Sequence, residues 1–408
     1  MSASPAASGA ALSADEPRYG WVVVWATFVA LGVIFGVAYS FAAFFEPFVG
    51  EFHAQRADVS LVFGLCGLIY FAFGAFGGML SDRLGPRLVT GAGMLCIALG
   101  LLGASLARSM LEVTLAYGVG VGLGIALVYT PAIGTVQPWF TRRRGLAAGI
   151  ASAGIGAGTL VVPLLAAAAI GAWQWRGAMT AIAIGTVAIG FTAALLFKRA
   201  PAAAKRADGT VAGTPLKEAL TSRAFIWMYV MCGFGAFSMF VPFAHLSAAA
   251  RDLGVPDARA VGLVGLIGIG SLTGRFAIGA LADRVGRPVT LVLAQASLGA
   301  SYILWAFGDG YFALALFALW MGTSYGGIVS LMPALCMDLF GARNVTGIIG
   351  CLYTAAGFGT LIGPTVAGAA FDAYGSYDAP ILGCALLSFI GAALGLGLAR
   401  ARPAHASV

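Results

Sequence analysis

The chain has 408 residues, of which 60% are hydrophobic and 10% charged, with a mean hydropathy of +0.94 and a net charge of +7. A soluble domain carries about 25% charged residues, so a soluble enzyme is excluded. The basic residues sit in short segments between apolar runs and form no basic face, so nucleic acid is not expected as a partner.

The first 18 residues are rich in Ala and Ser. The apolar run after them is too long for a signal-peptide core and is expected to stay as an uncleaved first helix. About 20 apolar residues cross a bilayer. Spans are predicted at 21–45, 59–80, 88–107, 113–137, 146–170 and 177–197. A polar stretch, 198–222, follows; its Ala, Gly, Pro and Lys content reads as a linker with a short amphipathic helix near Leu216–Leu220. Six more spans are predicted at 225–249, 260–281, 289–307, 312–336, 347–370 and 380–399. The loops that remain are too short to hold a catalytic domain, so no enzyme is expected.

Lys and Arg set the orientation. With the amino terminus inside, 17 of the 23 basic residues fall in cytoplasmic segments and 5 in outer loops; Arg275 is left over, inside a span. Both termini are therefore expected in the cytoplasm, in a multi-pass protein of the cell membrane. The six cysteines all lie within apolar runs without metal-ligand spacing and read as small buried side chains. The strings GVGVGLG (118–124) and GIGSLTG (268–274) lie inside hydrophobic spans, where such spacing serves helix packing rather than phosphate binding. With no Walker lysine, metal cluster or nucleophile–base pair in the sequence, no cofactor and no ATP-driven step are expected.

Two segments recur about 200 residues apart. Gly78–Arg87 reads GMLSDRLGPR and Gly279–Pro288 reads GALADRVGRP; Ala153–Pro163 reads AGIGAGTLVVP and Ala356–Pro364 reads AGFGTLIGP. Six spans separate the copies, so both halves keep one orientation, the parallel-repeat arrangement. The G-x-L-x-D-R-x-G loop and its copy resemble the signature of the major facilitator superfamily. Trp139–Gly158, WFTRRRGLAAGIASAGIGAG, resembles the fifth-helix signature of the monocarboxylate transporters and their oxalate/formate-exchanging relatives. Tyr19-Gly20-Trp21 resembles that family's first-helix motif weakly, because Arg18 stands beside it and the acidic residue that opens the motif is not in place. The resemblance implies an all-α membrane protein of twelve transmembrane helices in two pseudo-symmetric six-helix bundles. The bundles are expected at 1–197 and 223–408, joined by the cytoplasmic loop 198–222. It also implies a secondary transporter, working as a monomer in lipid, with its substrate held at mid-membrane between the halves. Gate latching at the cytoplasmic ends is implied for Asp82, Arg83, Arg87, Arg142, Arg143, Asp283 and Arg284.

Arg275 is the charge that falls inside a span, roughly 7 Å to the cytoplasmic side of the centre at 1.5 Å per residue. A cation there costs about 3 kcal/mol or more on insertion scales, so such residues are usually functional. No acidic residue is predicted at its depth, and the simplest counter-ion is a substrate carboxylate, which a guanidinium pairs in bidentate fashion. Those relatives also use an arginine in this helix for that purpose. Tyr129, Tyr325 and Tyr39 match positions of aromatic substrate contacts in the family, and Leu331, Cys351 and Phe358 are expected to line the apolar remainder. His245, in VPFAHLS, lies about 12 Å outward of its span's centre, and an unperturbed imidazole titrates near pH 6.5. It is the candidate for proton coupling together with Arg275. One intramembrane cation balances one carboxylate, and span eleven has no Lys where the resemblance implies a second cation for the oxalate exchangers; both favour a monocarboxylate such as lactate or pyruvate. Proton symport is the first expectation and organic-anion exchange of the oxalate/formate type the alternative.

Overall fold

The computed structural model describes residues 18–140, 143–200, 213–341 and 344–399. Their apolar runs fold as helices because no water is present in a bilayer core to satisfy peptide groups, and a helix satisfies them within its own backbone. The first four are α1 (Arg18–Phe52), α2 (Arg56–Leu84), α3 (Pro86–Ser105) and α4 (Met110–Val136). A 50-residue apolar helix, Leu146–Leu195, then breaks at Gln174, whose backbone lies at φ 58°, ψ 172°. Its two arms, 146–173 and 175–195, are α5 and α6. After the short helix Leu216–Thr221 come α7 (Arg223–Asp252), α8 (Asp257–Val285), α9 (Arg287–Phe307), α10 (Gly310–Phe340), α11 (Val345–Tyr374) and α12 (Asp378–Ala399). Most of the linker, 201–212, lies outside the described residues.

Twelve crossings put Arg18 and Ala399 on one face, the terminal face; the opposite one is the far face. Helices α1–α6 form one bundle and α7–α12 the other. The two repeats fold alike. Gly85 (φ 97°, ψ 146°) and Gly286 (φ 96°, ψ 139°) make the same turn at the end of each G-x-L-x-D-R-x-G segment. That region of the backbone map is open essentially to glycine alone, which accounts for the final glycine of both copies. Pro86 and Pro288 then occupy the first turn of the next helix, where a missing N–H costs nothing.

The bundles meet along two symmetry-related seams, α5 against α8 and α2 against α11. Small residues set the closeness of approach. Gly156 and Gly268 face each other so tightly that a Cβ on either would stand under 3 Å from the other's carbonyl oxygen. Side-chain-free contact of this kind lets dispersion hold helices together where no hydrophobic force acts between them. At its far end α1 also packs on α7, which breaks at Phe240 just before Pro242.

Candidate functional site

A cavity of about 50 Å³ lies at mid-membrane between the bundles. The first bundle lines it with Phe35, Tyr70, Phe71, Tyr129 and Ile155. The second supplies residues from α7, α10 and α11, notably Cys232, Tyr325, Met332 and Tyr353, together with Gln295 from α9. At this volume the cavity is about a third of an apolar cavity of ~150 Å³ that admits benzene, so it suits a few heavy atoms rather than an aryl group. A larger groove, 440 Å³, opens on the outside of the first bundle between α1, α5 and α6. Its lining of Val, Leu, Ile, Ala, Gly185, Trp173 and Thr186 offers no charge to an ion.

Arg275 on α8 is buried, at 9% exposure, and its Nε and Nη2 have no hydrogen-bond partner among the described residues. Ser271, one turn earlier on the same helix, is likewise buried with an unpartnered hydroxyl. The guanidinium lies within Coulombic reach of the hydroxyls of Tyr129, Tyr325 and Tyr353. A buried cation with donors to spare is costly unless something fills them. Among the described residues no ion pair involves Arg275.

On the far side of the cavity Tyr39 and Tyr325 share a hydroxyl–hydroxyl hydrogen bond of 2.8 Å, joining α1 to α10. Tyr39 stacks on Phe243 at 3.9 Å and 15°, and Tyr325 meets the same ring edge-on at 5.4 Å. These three rings form a lid between the bundles. Tyr39 belongs to this lid rather than to the cavity wall.

Beyond the lid, His245 is fully buried. Its Nε2 lies 2.8 Å from the Pro364 carbonyl and 3.0 Å from Ser60 Oγ, so Nε2 carries the hydrogen. Nδ1 then accepts from the Tyr377 hydroxyl at 2.9 Å. That hydroxyl in turn accepts from Arg56 Nη1 at 2.7 Å. The Arg56 guanidinium also donates to both carboxylate oxygens of Asp252, at 2.7 and 2.8 Å, and sits 3.8 Å over the Phe371 ring. The first two amides of α2 donate to Asp372 on α11, at 3.0 and 2.9 Å. This cluster ties α2 to α7, α11 and the start of α12. The break at Phe240 does not bring His245 to Arg275; among the described residues no hydrogen bond joins them or links them through a shared partner.

At the terminal face Asp82, Arg83, Arg87, Asp283 and Arg284 are exposed and form no ion pair among the described residues. Arg199 donates to the carbonyls of Ser81 and Asp82, and Arg87 Nε to that of Phe197 at 3.4 Å, holding the turn within its own bundle. Arg143 is exposed, and Arg142 lies outside the described residues.

Three expected lining residues are placed elsewhere. Phe358 is 51% exposed and shares an outward stripe of α11 with Ile362 and Val366, so it faces lipid. From α11 it is Tyr353 and Ala356 that reach the cavity, not Cys351. Leu331 is buried, but Tyr325, Ile328, Val329 and Met332 are the residues of α10 that line the space. Tyr70, Tyr353 and Gln295 were not anticipated. Only Gln295 carries a sequence signal, a lone amide inside the apolar run LVLAQASLGA. No group of three His, Cys, Asp or Glu among the described residues is placed to hold a metal ion.

A sequence model described as Major Facilitator Superfamily matches residues 26–345 and 234–408. Monocarboxylate transporter 13 of Rattus norvegicus is 31% identical over 370 residues, covering 88% of this chain and 84% of its own. Monocarboxylate transporter 11 of Mus musculus is 30% identical over 399 residues, covering 94% of this chain and 88% of its own. Among solved structures, a bacterial homolog of the human lysosomal transporter Spinster, in an inward-facing and occupied conformation, superposes with a TM-score of 0.72. It covers 94% of this chain and 97% of its own at 16% identity, a likeness of fold alone.

Proposed function

This chain belongs to the major facilitator superfamily, in the group of the monocarboxylate transporters, and from that premise we propose that it carries a small monocarboxylate such as lactate or pyruvate with a proton, by alternating access. It is a multi-pass membrane transporter and not an enzyme. The observation that carries the substrate reading is Arg275, a buried guanidinium whose Nε and Nη2 are unpartnered. One carboxylate fills both donors in the planar fork geometry that Arg favours. The named relatives supply the substrate class. The cavity volume supports a short chain, and Tyr129, Tyr325 and Tyr353 stand within reach to complete the carboxylate's coordination.

In the cycle we propose, the far face is the outside and both termini are cytoplasmic in the cell membrane. The protein acts as a monomer, with bundles at 1–197 and 223–408 joined by 198–222. The present state is then closed outside by the Arg56 cluster and the Tyr39–Tyr325–Phe243 lid. Its cytoplasmic charges, Asp82, Arg83, Arg87, Arg142, Arg143, Asp283 and Arg284, would latch the bundles in the opposite state. His245 is the proton site. Neutral, it accepts from Tyr377. Once Nδ1 is protonated it becomes a donor, and the Tyr377 hydroxyl, already accepting from Arg56, loses the acceptor of its own proton. Protonation thus strains the outer latch and favours opening toward the outside. Arg275 and His245 then act on the same cycle from two places, one holding the anion and one the proton.

Purified protein in liposomes, acidic outside and alkaline inside, should accumulate labelled lactate or pyruvate above equilibrium and leave succinate and oxalate outside. Accumulation of the dicarboxylates instead, or no response to the pH gradient, would contradict the proposal.

A further inference from the structure

Gln295 is a polar residue of the cavity that the cycle above does not use. It sits near the middle of α9, a helix packed chiefly on α10 and α12 rather than on the first bundle. Its side chain is 1% exposed, lines the cavity, and has an amide nitrogen without a partner. The route it takes is built by two glycines. A Cβ at Gly235 of α7 would stand 2.8 Å from both the amide nitrogen and the amide oxygen, and one at Gly391 of α12 would stand 3.4 Å from the nitrogen. Any larger residue at 235 would push the amide out of its place. A buried amide with an unmade hydrogen bond is costly, whereas Leu or Met would fill the same length without a polar group. The slot therefore serves an amide, and the space it borders is the substrate cavity.

We propose that Gln295 is a specificity-determining residue, hydrogen-bonding the 2-oxo or 2-hydroxyl oxygen of the substrate while Arg275 holds the carboxylate. This rests on the monocarboxylate reading of Arg275. The amide N–H donates to either oxygen. Because the two ends of an amide exchange by a half-turn of its terminal torsion, the amide oxygen also serves as acceptor for a 2-hydroxyl proton. A site built to bond a substrate oxygen rejects the analogue that lacks it, since the protein group is then left buried and unpaired.

The test is binding of L-lactate, pyruvate and propionate to the purified protein, to Gln295→Leu and to Gln295→Met. Propionate keeps the carboxylate and chain length and lacks the second oxygen. Wild type should bind propionate at least about tenfold more weakly than the other two. Both variants should bring lactate and pyruvate down to the level of propionate and leave propionate unchanged, which also reports an intact fold. A lactate-to-propionate ratio that both variants preserve, or a parallel loss of all three acids, overturns the assignment. Wild type that binds none of the three overturns the monocarboxylate reading itself, a result distinct from either.

Discussion

Replacing Arg56 with Gln should open the far face. The side chain is 12% exposed and makes a two-pronged bond to Asp252, a bond to Tyr377 and a cation–π contact with Phe371 at 3.8 Å, all across the bundle interface. Buried charged hydrogen bonds contribute about 1.5–3 kcal/mol. The Asp252 side chain, however, is 38% exposed, so the pair belongs nearer the value for surface ion pairs, at most ~1–2 kcal/mol. The ring contact adds about 0.5–1 kcal/mol. The total, about 1.5–3 kcal/mol, exists only while the latch is closed, so its loss shifts the closed-to-open equilibrium by roughly 10- to 150-fold. Ser247 reports the shift. It is fully buried, and its hydroxyl donates to the Ala42 carbonyl across α1 and α7 at 3.1 Å. In a background without native cysteines, Ser247→Cys should react with an impermeant maleimide from outside intact cells at least about tenfold faster when Arg56→Gln is present. An unchanged labelling rate, with Arg56→Gln expressed at the wild-type level, would refute the latch.

His245→Ala should abolish uphill uptake driven by a pH gradient and spare exchange of internal for external substrate; normal pH-driven accumulation would leave His245 a structural residue. Gly85→Ala forces a Cβ into a turn at φ 97° and should lower the melting temperature in detergent, the strain being about 1–3 kcal/mol; an unshifted transition would show that the turn adapts. Lys217→Cys, in the short helix before α7, should stay unlabelled by impermeant maleimide in intact cells, and strong labelling would reverse the proposed orientation.

The architecture was legible because bilayer physics writes it into composition. Apolar runs and the two copies of G-x-L-x-D-R-x-G yield twelve helices in two halves without further information. The turn between α5 and α6 was less legible: a loop was expected around 171–176, and the chain instead breaks at the single residue Gln174, between Trp173 and Trp175. The site was legible in depth and not in direction. Counting 1.5 Å per residue gives the depths of Arg275, Tyr129 and Tyr325; the two tyrosines line the cavity, and Arg275, not itself among the lining residues, lies within Coulombic reach of both. Which way a side chain points depends on how its helix is turned, about 100° per residue, and packing decides that. Hence Phe358 was assigned to the cavity and lies on the lipid stripe, while Tyr353 on the same helix, overlooked, lines the space. Gln295 was missed for a related reason: α9 reaches the centre only through the slot at Gly235 and Gly391, which appears once three helices are assembled.

The central claim is that Arg275 pairs the carboxylate of the substrate, and calorimetric titration of lactate or pyruvate into wild type, Arg275→Lys and Arg275→Gln tests it most directly. Lysine keeps the charge and loses the planar fork, so affinity should weaken markedly. Glutamine loses both; removing one partner of a buried charge pair commonly costs about 3–5 kcal/mol, a loss of roughly 100-fold or more in affinity. Without ligand, the melting temperature of Arg275→Gln should not fall, because no protein group is left unpaired, and the acid should raise the melting temperature of wild type alone. An Arg275→Gln protein that binds the acid with unchanged affinity would contradict the account.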